Sequence, residues 1–250
     1  MKIGLVGYGK MGKMLEELIH HKNWEVGEIY TERNPLTIHA KEDVFIDFSN
    51  AAAFLHNFPL YCTNKIPVVV GTTGWDHHIE EIKAEVNRNN FGMIYSPNFS
   101  IGVHLFLKIL SFASNLINNF PSYDVGASEI HHSDKKDHPS GTSKEIIHTL
   151  MKHIDRKNET LFHAPHGKID PHQLHFSSLR LGSVIGKHEV YFSSPFDMIT
   201  LTHDATNRQG FAEGALQAAS WIQDKKGFYT IENLIEEMQQ AKAEISHAND

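Results

Sequence analysis

The first hundred residues alternate between two hydrophobic periods, and that alternation constrains the fold more than any single motif. Short apolar runs with strand character occupy residues 3–6, 24–30, 44–48, 66–70 and 93–95. Between them lie helical patterns. Met11, Met14, Leu15, Leu18 and Ile19 recur at helical spacing and predict a helix to about His21; residues 51–60 and the series Ile79, Ile82, Val86 predict two more. The run at 66–70 is continuous and rich in β-branched residues, as a strand covered on both faces requires. Strand and helix in alternation imply parallel strands joined by crossovers, hence an open α/β sheet.

The pattern changes after Pro97. A long apolar helix is predicted over 101–117, then strands at 123–131, 174–181, 184–192 and 197–204, interrupted by one helix at about 142–154. Successive strands with short turns predict a second domain of α+β type with a mixed, mostly antiparallel sheet. Helical patterns return at 208–226 and 231–246, and a terminal helix pair that packs back makes the first domain discontinuous. The expected division is 1–98 with 209–250 as a dinucleotide-binding domain, and 99–208 as a substrate-binding and oligomerisation domain.

Charge and cysteine content narrow the functional classes. Lys and Arg total 23 against 30 Asp and Glu, a net charge of −7, which argues against a nucleic-acid partner. Cys62 is the single cysteine, so no intramolecular disulfide can form. The apolar run at the N-terminus is too short for a signal peptide, and no stretch of about 18 apolar residues reads as a membrane span. The expectation is a soluble cytoplasmic protein without a membrane partner.

Residues 7–12 read Gly7-Tyr8-Gly9-Lys10-Met11-Gly12, a G-x-G-x-x-G match between a strand and a helix. Gly7 permits the tight turn, Gly9 lets the backbone approach a pyrophosphate, and Gly12 lets helix and strand pack closely. The N–H groups and dipole at the helix start receive the anion. The alternative is a plain strand–turn–helix. About 20 residues on stand Glu32, suited to ribose hydroxyls, and Arg33, which with Lys10 is suited to a 2′-phosphate. Gly71-Thr72-Thr73 and Ser96-Pro97-Asn98-Phe99 directly follow the fourth and fifth strands, where ligands of open α/β sheets bind.

A second cluster is Glu129-Ile130-His131-His132-Ser133-Asp134-Lys135-Lys136-Asp137-His138-Pro139-Ser140-Gly141-Thr142. Thr142 and Glu145 fit a T-x-x-E capping box, which predicts a helix start there, and backbone N–H groups at such a start bind a carboxylate well. On an extended segment His131 and Lys135, four apart, face one side. Read alone, the cluster is also compatible with a solvated hairpin loop before a capped helix. A metal site is disfavoured: His131 and His132 are adjacent and point to opposite faces of a strand, with no nearby cysteine and no H-E-x-x-H spacing.

Taken together, "GYGKMG", "VGTTG", "SPNFSIGV" and above all "EIHHSDKKDHPSGTS" resemble the 4-hydroxy-tetrahydrodipicolinate reductase (dihydrodipicolinate reductase) family. Glu129, His131, His132, Lys135, Asp137, Pro139, Ser140, Gly141 and Thr142 match the family pattern without a gap. The resemblance covers essentially the whole chain, including "LRLGSVIGKHEV" and "RQGFAEGA". It implies a Rossmann-like domain binding NADPH or NADH, a cyclic dicarboxylate imine as substrate, and a homotetramer built through the second domain's sheet. It also implies His131 as proton donor, Lys135 as assisting cation, substrate binding by His132, Ser140, Gly141 and Thr142, and no metal. The glycine turn is one residue shorter than in many members, and neither Glu32 nor Arg33 decides between the two nucleotides. Other NAD(P)-dependent dehydrogenases of similar layout lack the loop pattern, and a non-catalytic nucleotide sensor has no need of the His131 and Lys135 pair.

Overall fold

The computed structural model describes residues 1–37, 39–163 and 165–247, with side chains as far as residue 240. In chain order the elements are β1 (Lys2–Val6), α1 (Lys10–His21), β2 (Glu25–Tyr30), β3 (Val44–Asp47), α2 (Ala51–Asn64), β4 (Val68–Val70), α3 (Ile79–Asn89), β5 (Gly92–Tyr95), α4 (Ile101–Asn118), β6 (Asp124–His131), α5 (Gly141–His153), β7 (Glu159–Leu161), β8 (Gln173–Arg180), β9 (Lys187–Ser193), β10 (Met198–Asp204), α6 (Gln209–Ile222), β11 (Gly227–Thr230) and α7 (Ile231–His247). They form two compact units, Met1–Ile101 with Gln209–Asp250 and Gly102–Arg208.

The first unit is a six-stranded sheet in the order β11-β5-β4-β3-β1-β2, parallel at every pairing. Its middle strands are buried on both faces, which explains their unbroken apolar sequences. Val69 and Ile94 face a core with Leu15, Ile19, Leu216 and Ile222. Val68, Val70 and Met93 face a second core with Phe54, Tyr61, Trp75 and Ile82. From β1 the chain goes to β2 on one side and β3 on the other, so the order reverses between β1 and β3. Ligands of open α/β sheets bind beyond the strand ends at such a reversal.

Two expectations change here. The predicted helix over 208–226 ends at Ile222, and β11 follows, pairing parallel with β5 at the sheet edge. Four residues that begin with a glycine at φ 111° are too few to show a period. The helix expected over 51–60 continues to Asn64 despite Pro59.

The second unit is a five-stranded sheet in the order β10-β9-β6-β8-β7. It is mixed, as expected: β6–β9 and β9–β10 are antiparallel over the longer registers, while β6–β8 and β7–β8 are parallel. The crossover through α5 restores the direction of β6, and the three-residue β7, unread in the sequence, adds the second parallel pair. α4 and α5 cover one face with Phe106, Leu110, Ile117, Ile146 and Leu150 over Val125, Phe176, Val190 and Phe192. Among the described residues α4 is the helix long and apolar enough to cross a membrane. Its inner residues Val103, Phe106, Leu110, Ser114 and Ile117 are buried, as in a core helix, while Leu105, Ile109, Phe112 and Leu116 stay exposed.

Candidate active site

Predicted site residues lie in each of the two units. In the first, Gly7 directly follows β1 at φ 89°, a left-handed conformation that disfavours a side chain. A Cβ there would stand 2.6 Å from the Phe48 carbonyl oxygen. Gly12 is buried in the first turn of α1, where a Cβ would stand 2.5 Å from the Gly7 carbonyl oxygen. Gly9 is different: it is the N-cap of α1, and among the described residues, its chain neighbours aside, no atom lies within 4 Å of where its Cβ would be. No side chain caps this helix, and no acid sits in its first turn. The result is a helix start whose positive end is uncompensated and whose cap has empty space beside it, a cradle that fits a phosphate. Tyr8 and Lys10 are exposed on the turn, and the Tyr8 hydroxyl donates to Glu16. Met11 is half-buried against the core. Glu32 and Arg33 lie exposed in a tight turn closed by Thr31 and Asn34, just past β2.

Buried Asp47, at the end of β3, organises the neighbouring turns. It accepts hydrogen bonds from Ser49 Oγ (2.6 Å), Tyr61 Oη (2.7 Å) and Thr72 Oγ1 (2.8 Å). Burial pushes its carboxyl up, opposed by these bonds. The Thr72 hydroxyl is therefore spent inside the protein, leaving exposed Thr73 as the available side chain of that turn. Gly71 admits the Phe48 ring, which a Cβ would meet at 2.1 Å. The turn after β5 behaves alike. Ser96 Oγ donates to the Asn98 carbonyl at 2.6 Å, Phe99 is buried in the core, and Pro97 is exposed. Neither Asp47 nor Phe48 was singled out in the sequence; an acid at a strand end followed by Ser49 was the available signal.

In the second unit the loop after β6 is a turn, not an extended segment, because the Lys135 N–H donates to the His132 carbonyl. His131 and Lys135 therefore share no strand face. They are gathered instead by Glu129, which is fully buried on β6. Its Oε2 accepts from the Ser140 N–H (3.2 Å) and Ser143 Oγ (2.7 Å), and its Oε1 from Ser178 Oγ (2.7 Å) and Arg180 Nη2 (3.1 Å). Arg180 also donates to the backbone carbonyl of Asp137 at 2.9 Å and of Lys135 at 3.4 Å, tying the turn to β8. Burial pushes the Glu129 carboxyl up, but His131, Ser140, Ser143 and Ser178 outweigh it and hold the group well below the usual carboxylate range.

Around this anchor His131 is buried at the end of β6, and His132 is half-buried. His131 meets the His188 ring edge-on at 5.1 Å between centroids. Burial and the neighbouring His131 lower His188 to about 4, so it is neutral near pH 7. Lys135 Nζ pairs with Asp137 at 2.8 Å, and that bond holds the Asp137 carboxyl below its ordinary value. The cap of α5 is Ser140, which accepts from the Ser143 N–H, and not the expected Thr142 with Glu145. Capping and Glu129 engage both the hydroxyl and N–H of Ser140, so Gly141 and Thr142 supply the first turn. Gly141 is exposed, with nothing within 4 Å of a Cβ. Ser143, Ser178, Arg180 and His188 were missed because they are ordinary residues on three separate elements, joined only by the fold.

Comparison with known proteins accounts for both halves. Residues 1–99 match the family model "Dihydrodipicolinate reductase, N-terminus", and residues 102–235 match "Dihydrodipicolinate reductase, C-terminus". The chain belongs to the dihydrodipicolinate reductase family. A relative named 4-hydroxy-tetrahydrodipicolinate reductase from Christiangramia forsetii is 32% identical over 95% of this chain and 99% of its own. Another of that name, from Aquifex aeolicus, is 36% identical over 82% of this chain and 80% of its own. Among solved structures, the dipicolinate-bound dihydrodipicolinate reductase from Paenisporosarcina sp. TG-14 is similar in fold, with a TM-score of 0.74, 24% identity and coverage of 92% of this chain and 97% of that one. Membership in this reductase family makes the chain an oxidoreductase with a dinucleotide-binding N-terminal unit.

Proposed function

We propose that this member of the family is a 4-hydroxy-tetrahydrodipicolinate reductase, reducing a dihydrodipicolinate-type cyclic imine to tetrahydrodipicolinate in diaminopimelate and lysine biosynthesis. NADPH or NADH, when bound, supplies the hydride. The glycine turn around Gly9 holds the pyrophosphate through backbone N–H groups at the start of α1. Glu32 takes ribose hydroxyls, while Lys10 and Arg33 favour the 2′-phosphate of NADPH. The turns at 71–73 and 96–99 contribute backbone and the Thr73 side chain.

His131 gives the proton that hydride addition to an imine requires, a role for which imidazole is suited near neutral pH. Lys135 exchanges Asp137 for a substrate carboxylate. His132 and the first turn of α5, at Gly141 and Thr142, hold the substrate's carboxylates through donors and the helix dipole. Ser140 acts by positioning that turn. One observation carries this reading: His131, the Lys135 turn and the start of α5 are all anchored on Glu129 and Arg180 within a single unit.

By resemblance the enzyme is a cytoplasmic homotetramer built through the second unit's sheet. The exposed Met198 and Ile199 on edge strand β10, beside exposed Phe196, support this, since an apolar unpaired edge calls for cover. Light scattering on the purified protein reads the assembly directly. For the activity, steady-state rates are measured on the enzymatically generated imine with NADH and NADPH side by side. Turnover with at least one nucleotide is expected; none with either overturns the proposal.

A further inference from the structure

Buried Glu129 does more than hold a loop. We propose that Glu129 is the positioning residue for His131: a fixed anion that keeps a proton on Nδ1 of the imidazole and leaves Nε2 as the nitrogen that gives up its proton. The inference rests on the reading of His131 as proton donor.

Nδ1 of His131 is fully enclosed and, among the described residues, has no aligned hydrogen-bond partner. Glu129 Oε2 lies 3.3 Å from it. Four donors already occupy the carboxylate, two on each oxygen. A carboxylate offers about four lone-pair positions, so this one is filled and immobile. It acts on Nδ1 through its charge, which is why the contact is close without being an aligned bond. A bare Nδ1 lone pair would face an acceptor-only anion at that distance. Repulsion disfavours that tautomer, and the proton stays on Nδ1.

The other charged groups nearby do not compete. Arg180, from β8, is spent on Glu129 and the turn backbone, and Lys135 pairs with Asp137. His138 Nδ1 stands 4.0 Å from the other Glu129 oxygen. His188, from β9, directs its Nδ1 to Ser143 Oγ at 3.3 Å, and burial keeps it neutral. His203, from β10, is the cross-strand neighbour of His188, and burial lowers it too. On the far side of the ring, a Cβ at Gly186 would stand 3.0 Å from Nε2, so glycine there spares that nitrogen the crowding of a side chain.

Nitrogen-15 NMR of the ring, with the His131 signals assigned by their loss in His131→Gln, tests this on the unmodified enzyme. The expected result is a neutral ring that carries its proton on Nδ1 and leaves Nε2 bare. A neutral form protonated on Nε2 overturns the proposal. In Glu129→Gln, kcat is expected to fall about 10- to 100-fold with the NAD(P)H KM unchanged, and Glu129→Asp, which keeps the charge, to recover most of the loss. Equal losses in the two variants contradict a charge effect. If Glu129→Gln does not fold, the spectrum of the unmodified enzyme decides. A proton on Nδ1 together with full activity in His131→Gln supports the positioning and defeats the donor reading; a proton on Nε2 with His131→Gln inactive does the reverse.

Discussion

Replacing Gly9 with Ala separates nucleotide binding from folding. Gly9 has φ −83° and ψ −153°, a conformation open to any residue, and among the described residues, its chain neighbours aside, no atom lies within 4 Å of the new methyl group. Two small effects on stability oppose each other. Fewer unfolded conformations stabilise by about 0.4–1 kcal/mol. Alanine is a poorer N-cap than glycine, by roughly 0.5–1 kcal/mol. The net change stays within about 1 kcal/mol of zero, or a Tm shift below about 4 °C for a chain of this size. The methyl group does, however, fill the space through which a pyrophosphate reaches the backbone. A loss of about 10- to 100-fold in NADPH and NADH affinity follows, worth ~1.4–2.8 kcal/mol. Isothermal titration calorimetry and a thermal scan on the same sample read both quantities. Unchanged affinity in a folded Gly9→Ala protein would refute the cradle. Gly12→Val provides the contrast: its Cβ would strike the Gly7 carbonyl oxygen, so stability and affinity fall together.

Three further outcomes are expected. Changing Lys10 and Arg33 together to Ala weakens NADPH binding and spares NADH, and equal losses for both nucleotides contradict their assignment to the 2′-phosphate. Lys135→Ala lowers kcat and raises KM for the imine, whereas Lys136→Ala changes little; steady-state kinetics on the pair reads the difference. Stability also carries an acid signature from His188, whose value falls from 6.5 to about 4 in the folded chain. Unfolded chains then bind the extra proton first, so this contribution is complete above about pH 6.5 and is lost as pH falls toward 4, by ~3 kcal/mol at most. Urea unfolding of His188→Gln across that range shows a flatter profile if this is right, and the same slope if it is not.

The sequence exposed those features of the fold that repeat or sit close together. The parallel strands were readable because both of their faces are buried, giving unbroken runs such as Val68–Val70. The glycine turn was readable because each glycine has a separate geometric reason. β7 and β11 were not, since three or four residues cannot establish a period. In the site, the loop residues from His131 to Thr142 were visible as a local cluster. The groups that fix their anchor Glu129 were not: Ser178, Arg180 and His188 reach Glu129 and its partner Ser143 from β8 and β9, some 50 residues away in sequence, and only strand pairing brings them there. Local pattern also misassigned the helix cap, because Ser140 and Thr142 are both plausible caps and burial of the Ser140 side chain decides between them.

The central claim is that the end of β6 and the turn after it are catalytic, and His131→Gln tests it most directly. Removing a general acid costs roughly two to four orders of magnitude in rate. With the imine generated enzymatically, the variant is predicted to show kcat reduced by about that factor while calorimetry returns the unmodified NAD(P)H affinity. A folded His131→Gln enzyme with near-normal kcat would contradict the account and leave the loop a structural one.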